Sequence, residues 1–160
     1  MVTAISAYVV RSLEVEGSAV VTNARADAVT AMGVFYPNLG QAPSDAFFFL
    51  KRRQSAVLLK ATSIDVEVHA PDNRRSQRRP RLYFVSASRS PKVVGLEPIA
   101  GLSGFKAVRY HGIYPGIDLT VAAETDKLSA TFTVAVGADP SLILFTADGL
   151  DDALVGIPTA

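Results

Sequence analysis

Side chains along Leu128–Val136 alternate without a break. Leu128, Ala130, Phe132, Val134 and Val136 fall on one side, and Ser129, Thr131, Thr133 and Ala135 on the other. An α-helix would scatter these positions around its circumference, whereas an extended strand gathers them onto one face. Just upstream, Ile117, Leu119 and Val121 alternate with Asp118 and Thr120, and the polar Glu124-Thr125-Asp126-Lys127 lies between. The spacing predicts a β-hairpin over Ile117–Val136.

The same period recurs along the chain. Ile64, Val66 and Val68 alternate with Asp65, Glu67 and His69; Leu82 and Phe84 with Arg81 and Tyr83; Val108 and Tyr110 with Arg109 and His111. Ala46–Leu50 and Ala56–Leu59 are apolar runs split by Lys51-Arg52-Arg53-Gln54. They read as a second hairpin whose strands are buried on both faces or lie at a sheet interface. Phe47, Phe48 and Phe49 cannot all point to one side, so at least one ring needs cover on the opposite side. The same chain is expected to supply that cover, and an oligomer is the open alternative. Gly17, between Tyr8–Glu16 and Ser18–Thr22, marks a third hairpin.

Helical signals are confined to two places. Ala24–Met32 spans two turns between Asn23, a candidate N-cap, and Gly33, a candidate stop. Asp139-Pro140-Ser141 can open a short turn with proline in its first position. Asp72–Pro80 and Pro91–Gly104 read as loops. Many short strands with turn residues between them, and no long helix, predict an all-β antiparallel β-sandwich with at most one or two short helices, as a single domain over residues 1–160.

Composition narrows the function. Hydrophobic residues make up 49% and charged residues 19% of the chain, enough apolar surface to offset chain entropy. A net charge of +1 gives no global attraction to nucleic acid or to an anionic membrane. With no cysteine, disulfides and thiolate zinc sites are excluded. No apolar run is long enough for a membrane-spanning helix. The first residues lack the basic start of an export signal, Arg11 being the first positive side chain.

Three segments carry a resemblance: Phe35–Gln41 (FYPNLGQ), Val108–Leu119 (VRYHGIYPGIDL), and Phe132–Pro140 (FTVAVGADP) followed by Ile143 and Phe145. In that order they resemble the N-terminal domain of unknown function of secreted bacterial proteins with SBBP (β-propeller-type) repeats. The resemblance spans roughly residues 33–147. It implies an extracellular or cell-surface, multidomain setting and no activity; the partners expected are the other domains of a larger protein or a surface glycan. The residues that carry it are Asn38, Gly40, Gln41, Tyr114, Pro115, Gly116, Asp118, Gly137, Asp139 and Pro140. Physical chemistry gives them fold-forming roles. Pro115-Gly116 suits a turn, Tyr114 packs its ring and seeks a partner for its hydroxyl, Gly137 ends a strand, and Asn38 and Gln41 bond loop backbone around Gly40.

Groups that could carry chemistry are sparse. Asp65, Glu67 and His69 share one strand face, but a flat strand presents them side by side, as a solvated outer face would. Asp118, Glu124 and Asp126, and likewise Asp148, Asp151 and Asp152, match no calcium-loop spacing. No metal and no cofactor are expected. The only histidines are His69 and His111, and no nucleophile elbow or phosphate-binding loop is present. No catalytic residue is therefore expected, and the chain reads as a non-catalytic structural or interaction module. Two alternatives stay open. Arg74, Arg75, Arg78, Arg79 and Arg81 would bind an acidic polysaccharide or another anion, with nucleic acid not favoured because aromatic interleaving is absent. The other alternative is a carbohydrate-active enzyme whose paired carboxylates the sequence does not mark.

Overall fold

A computed structural model describes residues 6–9, 33–51, 55–68, 81–123 and 128–148. Eleven strands lie among these residues: β1 (Ser6–Val9), β2 (Phe35–Pro37), β3 (Ala46–Lys51), β4 (Ser55–Lys60), β5 (Ser63–Val68), β6 (Arg81–Phe84), β7 (Lys92–Pro98), β8 (Phe105–Tyr114), β9 (Ile117–Ala123), β10 (Leu128–Val134) and β11 (Phe145–Asp148). All pairings are antiparallel. The order is β1-β10-β9-β8-β2-β3-β4-β5-β6-β11, with β7 also on β8.

The all-β antiparallel expectation holds, but the expected two-sheet sandwich does not. The strands form one sheet, curled strongly into a half-barrel. The reason lies at the start of β8. β9 pairs with β8 only from Ala107 onward, and Phe35 of β2 pairs with Phe105 just before it. That pair carries the sheet from one half of the chain into the other. Curling then folds the apolar face onto itself. Phe84 of β6 meets Phe132 of β10 edge to face, with ring centroids 6.4 Å apart, and Phe48 of β3 meets Phe105 of β8 at 6.0 Å. Phe35, Leu50, Leu59, Val108, Ile117, Leu119 and Val121 are fully buried between them. Each such side chain contributes on the order of 1.5–3 kcal/mol by leaving water.

Two expected hairpins are present, β9–β10 and β3–β4. β3 is not buried on both faces. Phe48 and Leu50 point inward and Ala46 is buried, while Phe47, beside an irregularity in register between Ala46 and Phe48, is 39% exposed. Phe49 lies against Tyr36. The cover expected on the opposite side is thus incomplete among the described residues, with Phe47 left partly exposed. In β4, Leu58 is buried on the outer side as well. Of the N-terminal hairpin only Ser6–Val9 is described, paired with β10. The expected helix at Ala24–Met32 lies outside the described residues. The short turn at Asp139-Pro140-Ser141 appears as a 3-10 turn, Pro140–Leu142.

Pro91–Gly104, expected to be loop, contains β7. Glycine and proline suggested a break, yet both suit this strand. A side chain at Gly95 would sit 2.3 Å from the ring of Phe105, which lies across the bare backbone. Pro98 closes the strand, where a missing N–H costs least. Gly95→Ala should destabilise the fold by about 1–3 kcal/mol in urea unfolding, because the Phe105 ring must move.

Two buried tyrosines make a contrasting pair. The Tyr114 hydroxyl donates to the Leu144 carbonyl at 2.7 Å. The Tyr110 hydroxyl is buried without a hydrogen-bond partner among the described residues, and burial alone pushes its pKa far up. Urea unfolding should show Tyr114→Phe losing about 1–2 kcal/mol, and Tyr110→Phe neutral or stabilised by up to about 1 kcal/mol. Equal losses for the two would contradict these bonding assignments.

Candidate functional site

The residues singled out in the sequence fall into three groups in space. The first gathers at one end of the half-barrel. Tyr114 and Ile117 pair across the two-residue turn Pro115-Gly116, with Gly116 at φ 71°. A side chain at Gly116 would meet the Ala138 methyl at 2.6 Å, and the Gly116 carbonyl accepts from the Ala135 N–H at 2.8 Å. The Tyr-Pro-Gly turn and the Gly-Ala-Asp-Pro loop are therefore packed together. Gly137 turns this loop at φ 84°. Asp139 caps the 3-10 turn by accepting from the Ser141 N–H at 2.9 Å, and hydrogen bonding from Ser141, its side chain first and this N–H second, holds the Asp139 carboxyl below its ordinary value. Pro140 occupies the turn's first position. Burial raises the Tyr114 pKa.

Asp118 belongs to the same end. Between Tyr110 and Tyr114 the β8–β9 register shifts, and Gly112 takes φ 61°. One Asp118 oxygen accepts from the Gly112 N–H at 2.8 Å, and the other lies 3.3 Å from His111 Nδ1. The carboxylate thus satisfies the irregular backbone and orients the imidazole.

The second group is the loop after β2. Asn38 Nδ2 donates to the carbonyls of Ala42, Pro43 and Ala46, and its Oδ1 accepts from the N–H groups of Gly40 and Ala42. Gln41 Oε1 accepts from the Leu39 N–H. One amide side chain thereby organises the whole loop, with Gly40 at φ 109°. Asn38→Ala should cost about 2–3 kcal/mol in thermal or urea unfolding, since it leaves several loop groups unpaired.

The third group lies on the outer face of β4–β6. Asp65, expected on a solvated face, is 4% exposed. Its Oδ2 lies 2.8 Å from Arg81 Nη2 and 3.1 Å from Lys60 Nζ, and its Oδ1 accepts from Ser63 Oγ at 2.8 Å. Lys60 also reaches Asp45 at 2.8 Å. The Arg81 guanidinium lies 5.2 Å from the centre of the Tyr83 ring and donates to its hydroxyl. Burial pushes the Asp65 carboxyl up, but bonds from Ser63, Lys60 and Arg81 outweigh it and hold the pKa below the ordinary carboxylate value. Lys60 is held above its ordinary value, the two carboxylates outweighing its desolvation. Hydrogen bonds to Tyr83 and Asp65 raise Arg81.

Arg81 is the one member of the arginine run among the described residues, and internal partners engage it. Arg74, Arg75, Arg78 and Arg79 lie outside them, as do His69, Glu124, Asp126, Asp151 and Asp152. Asp148 is exposed on β11. Among the described residues no three His, Asp or Glu side chains come together as metal ligands. The sequence reading missed Lys60 and Ser63 as partners of Asp65, and Asp45 as the second partner of Lys60. Alternation placed Asp65 and Arg81 outward on their strands, but only the β5–β6 register makes them opposite neighbours.

The described residues define an all-β antiparallel half-barrel. A domain of unknown function, DUF7948, is similar to residues 83–156, from within β6 through β11 and beyond. That similarity shows no link to SBBP repeats. No curated protein and no solved structure matches the chain.

The Asp65 cluster makes stability acid-sensitive. Its folded pKa lies below the unfolded value, so its contribution is complete above the ordinary aspartate pKa and is lost as pH falls through the folded one. Thermal unfolding should therefore show the melting temperature falling from about pH 5 to pH 2, and falling less in Asp65→Asn. Parallel pH profiles for the two proteins would contradict the assignment.

Proposed function

We propose that this chain is a non-catalytic structural or interaction module of a secreted or surface-exposed bacterial protein, docking on other domains of that protein or on a surface glycan. The observation that carries the reading is the loop between β10 and β11. Its polar side chain Asp139 is turned onto the loop's own backbone, while aliphatic side chains face solvent: Val136 is 78% exposed, Leu144 55% and Leu142 39%. The loop is anchored by the Asp139 cap, the Gly116–Ala138 contact and the Tyr114–Leu144 bond. A fixed loop that holds aliphatic groups in water presents apolar area that an interface would bury. The segments resembling the SBBP-associated domain supply the extracellular, multidomain setting of the proposal.

The test uses the full-length parent protein, nicked by limited proteolysis and run on size exclusion. The native module should co-elute with the remainder. A Val136→Ser/Leu142→Ser/Leu144→Ser variant should separate from it, its association weakened at least about tenfold. Identical elution of native and variant protein would contradict the docking role. Salt-sensitive heparin binding, abolished by changing Arg74, Arg75, Arg78 and Arg79 to Ala, would move the reading to the anion-binding alternative. Cleavage of a polysaccharide by the purified protein would move it to the enzyme alternative.

A further inference from the structure

We propose that the outer face of β3–β6 binds a neutral saccharide chain, with Phe47 and Tyr83 as stacking platforms and Asp45 and Lys60 as hydrogen-bonding groups between them. The inference extends the glycan arm of the reading above, but it stands on residues outside the β10–β11 loop.

The face is set out by strand register. Phe47 sits on β3 beside Ala46, which pairs with Lys60 at the end of β4; Ser63 at the start of β5 pairs with Tyr83 on β6. From β3 to β6 is three inter-strand steps, about 14 Å. Phe47 and Tyr83 are 39% and 38% exposed, and both stand on paired strands, so little ordering entropy is lost when a ligand covers them. Tyr83 is further fixed by Arg81, which lies over one side of its ring and bonds its hydroxyl. That leaves the ring's other side for a ligand.

The charges between the rings decide the ligand class. Asp45, Lys60, Asp65 and Arg81 are two acids and two bases, joined by three ion pairs. A polyanion gains no net attraction from this set and meets the Asp45 carboxylate, whose side chain is 62% exposed. An apolar protein surface would bury Asp45 and Lys60 with too few partners, which is costly. A saccharide fits both parts: its C–H faces cover aromatic rings, and its hydroxyls both donate to the free lone pairs of Asp45 and accept from Lys60, whose ammonium carries a third N–H beyond its two carboxylate partners.

The test is affinity electrophoresis of the whole chain through gels containing one soluble neutral polysaccharide each, covering β-glucan, xylan, mannan and dextran, with heparin as the charged control. At least one neutral polymer should retard the native chain. Phe47→Ala and Tyr83→Ala should each weaken retardation about tenfold or more, with melting temperatures near native because both side chains are partly exposed. Retardation should survive 0.5 M salt and be unchanged in the Val136→Ser/Leu142→Ser/Leu144→Ser variant, which keeps this outcome separate from that of the loop. Migration unaffected by every neutral polymer, retardation by heparin alone, or retardation that both ring variants retain would each overturn the proposal.

Discussion

The architecture depends on how the long strand β8 is shared. Its ten residues pair with β9 from Ala107 onward, with β7 from Lys92 to Pro98, and with β2 through Phe105. Without the Phe35–Phe105 pair, strands β7–β10 and strands β2–β6 would be two separate sheets facing each other. With it, the ladder of backbone bonds runs from β1 to β11. The sheet must then curl to bury its apolar face, because strand twist accumulates and no second layer among the described residues covers that face. Gly33 is part of the same junction: a side chain there would collide with Ala123, the last residue of β9.

Aromatic contacts help close the curl. Phe132 stands between Phe84 and Tyr114, at ring-centroid distances of 6.4 and 6.5 Å. Tyr114 extends past that stack to the backbone just before β11. The turn that presents Tyr114 is in turn wedged against the β10–β11 loop through Gly116 and Ala138. One aromatic side chain therefore links the β8–β9 turn, the inner core and the last described strand. On the outside, Asp65 makes a polar counterpart, tying β4, β5 and β6 across their exposed side. Such a cluster adds less to stability than its short distances suggest, since desolvation opposes it.

Much of this was legible in the sequence, for a physical reason. Two-residue alternation at Leu128–Val134 and Ile117–Val121 reports a strand with one buried face, and the hairpin followed directly. The Pro115-Gly116 turn followed from residue chemistry, and so did the Asp139 cap. The same alternation says nothing of how strand ends join, because a sandwich and a half-barrel impose the same inside–outside pattern on each strand. Hence the architecture was read one step too fine. β7 was hidden because Gly95 and Pro98 look like breakers until Phe105 is seen lying on the glycine. The Asp65 cluster was hidden because its partners come from separate strands and the preceding turn, and only register brings them together. That Phe47, Phe48 and Phe49 cannot all point to one side follows from the strand period, but the incomplete cover of Phe47 lies beside a local shift in register that no pattern announces.

Both halves of the sheet form one cooperative unit joined through β8. Native-state hydrogen exchange on the intact chain tests it most directly. The paired amides of β4 and those of β9 should open with the same free energy, equal to that of global unfolding. Exchange of β3–β6 at a distinctly lower free energy than β8–β10, each half opening by itself, would contradict it.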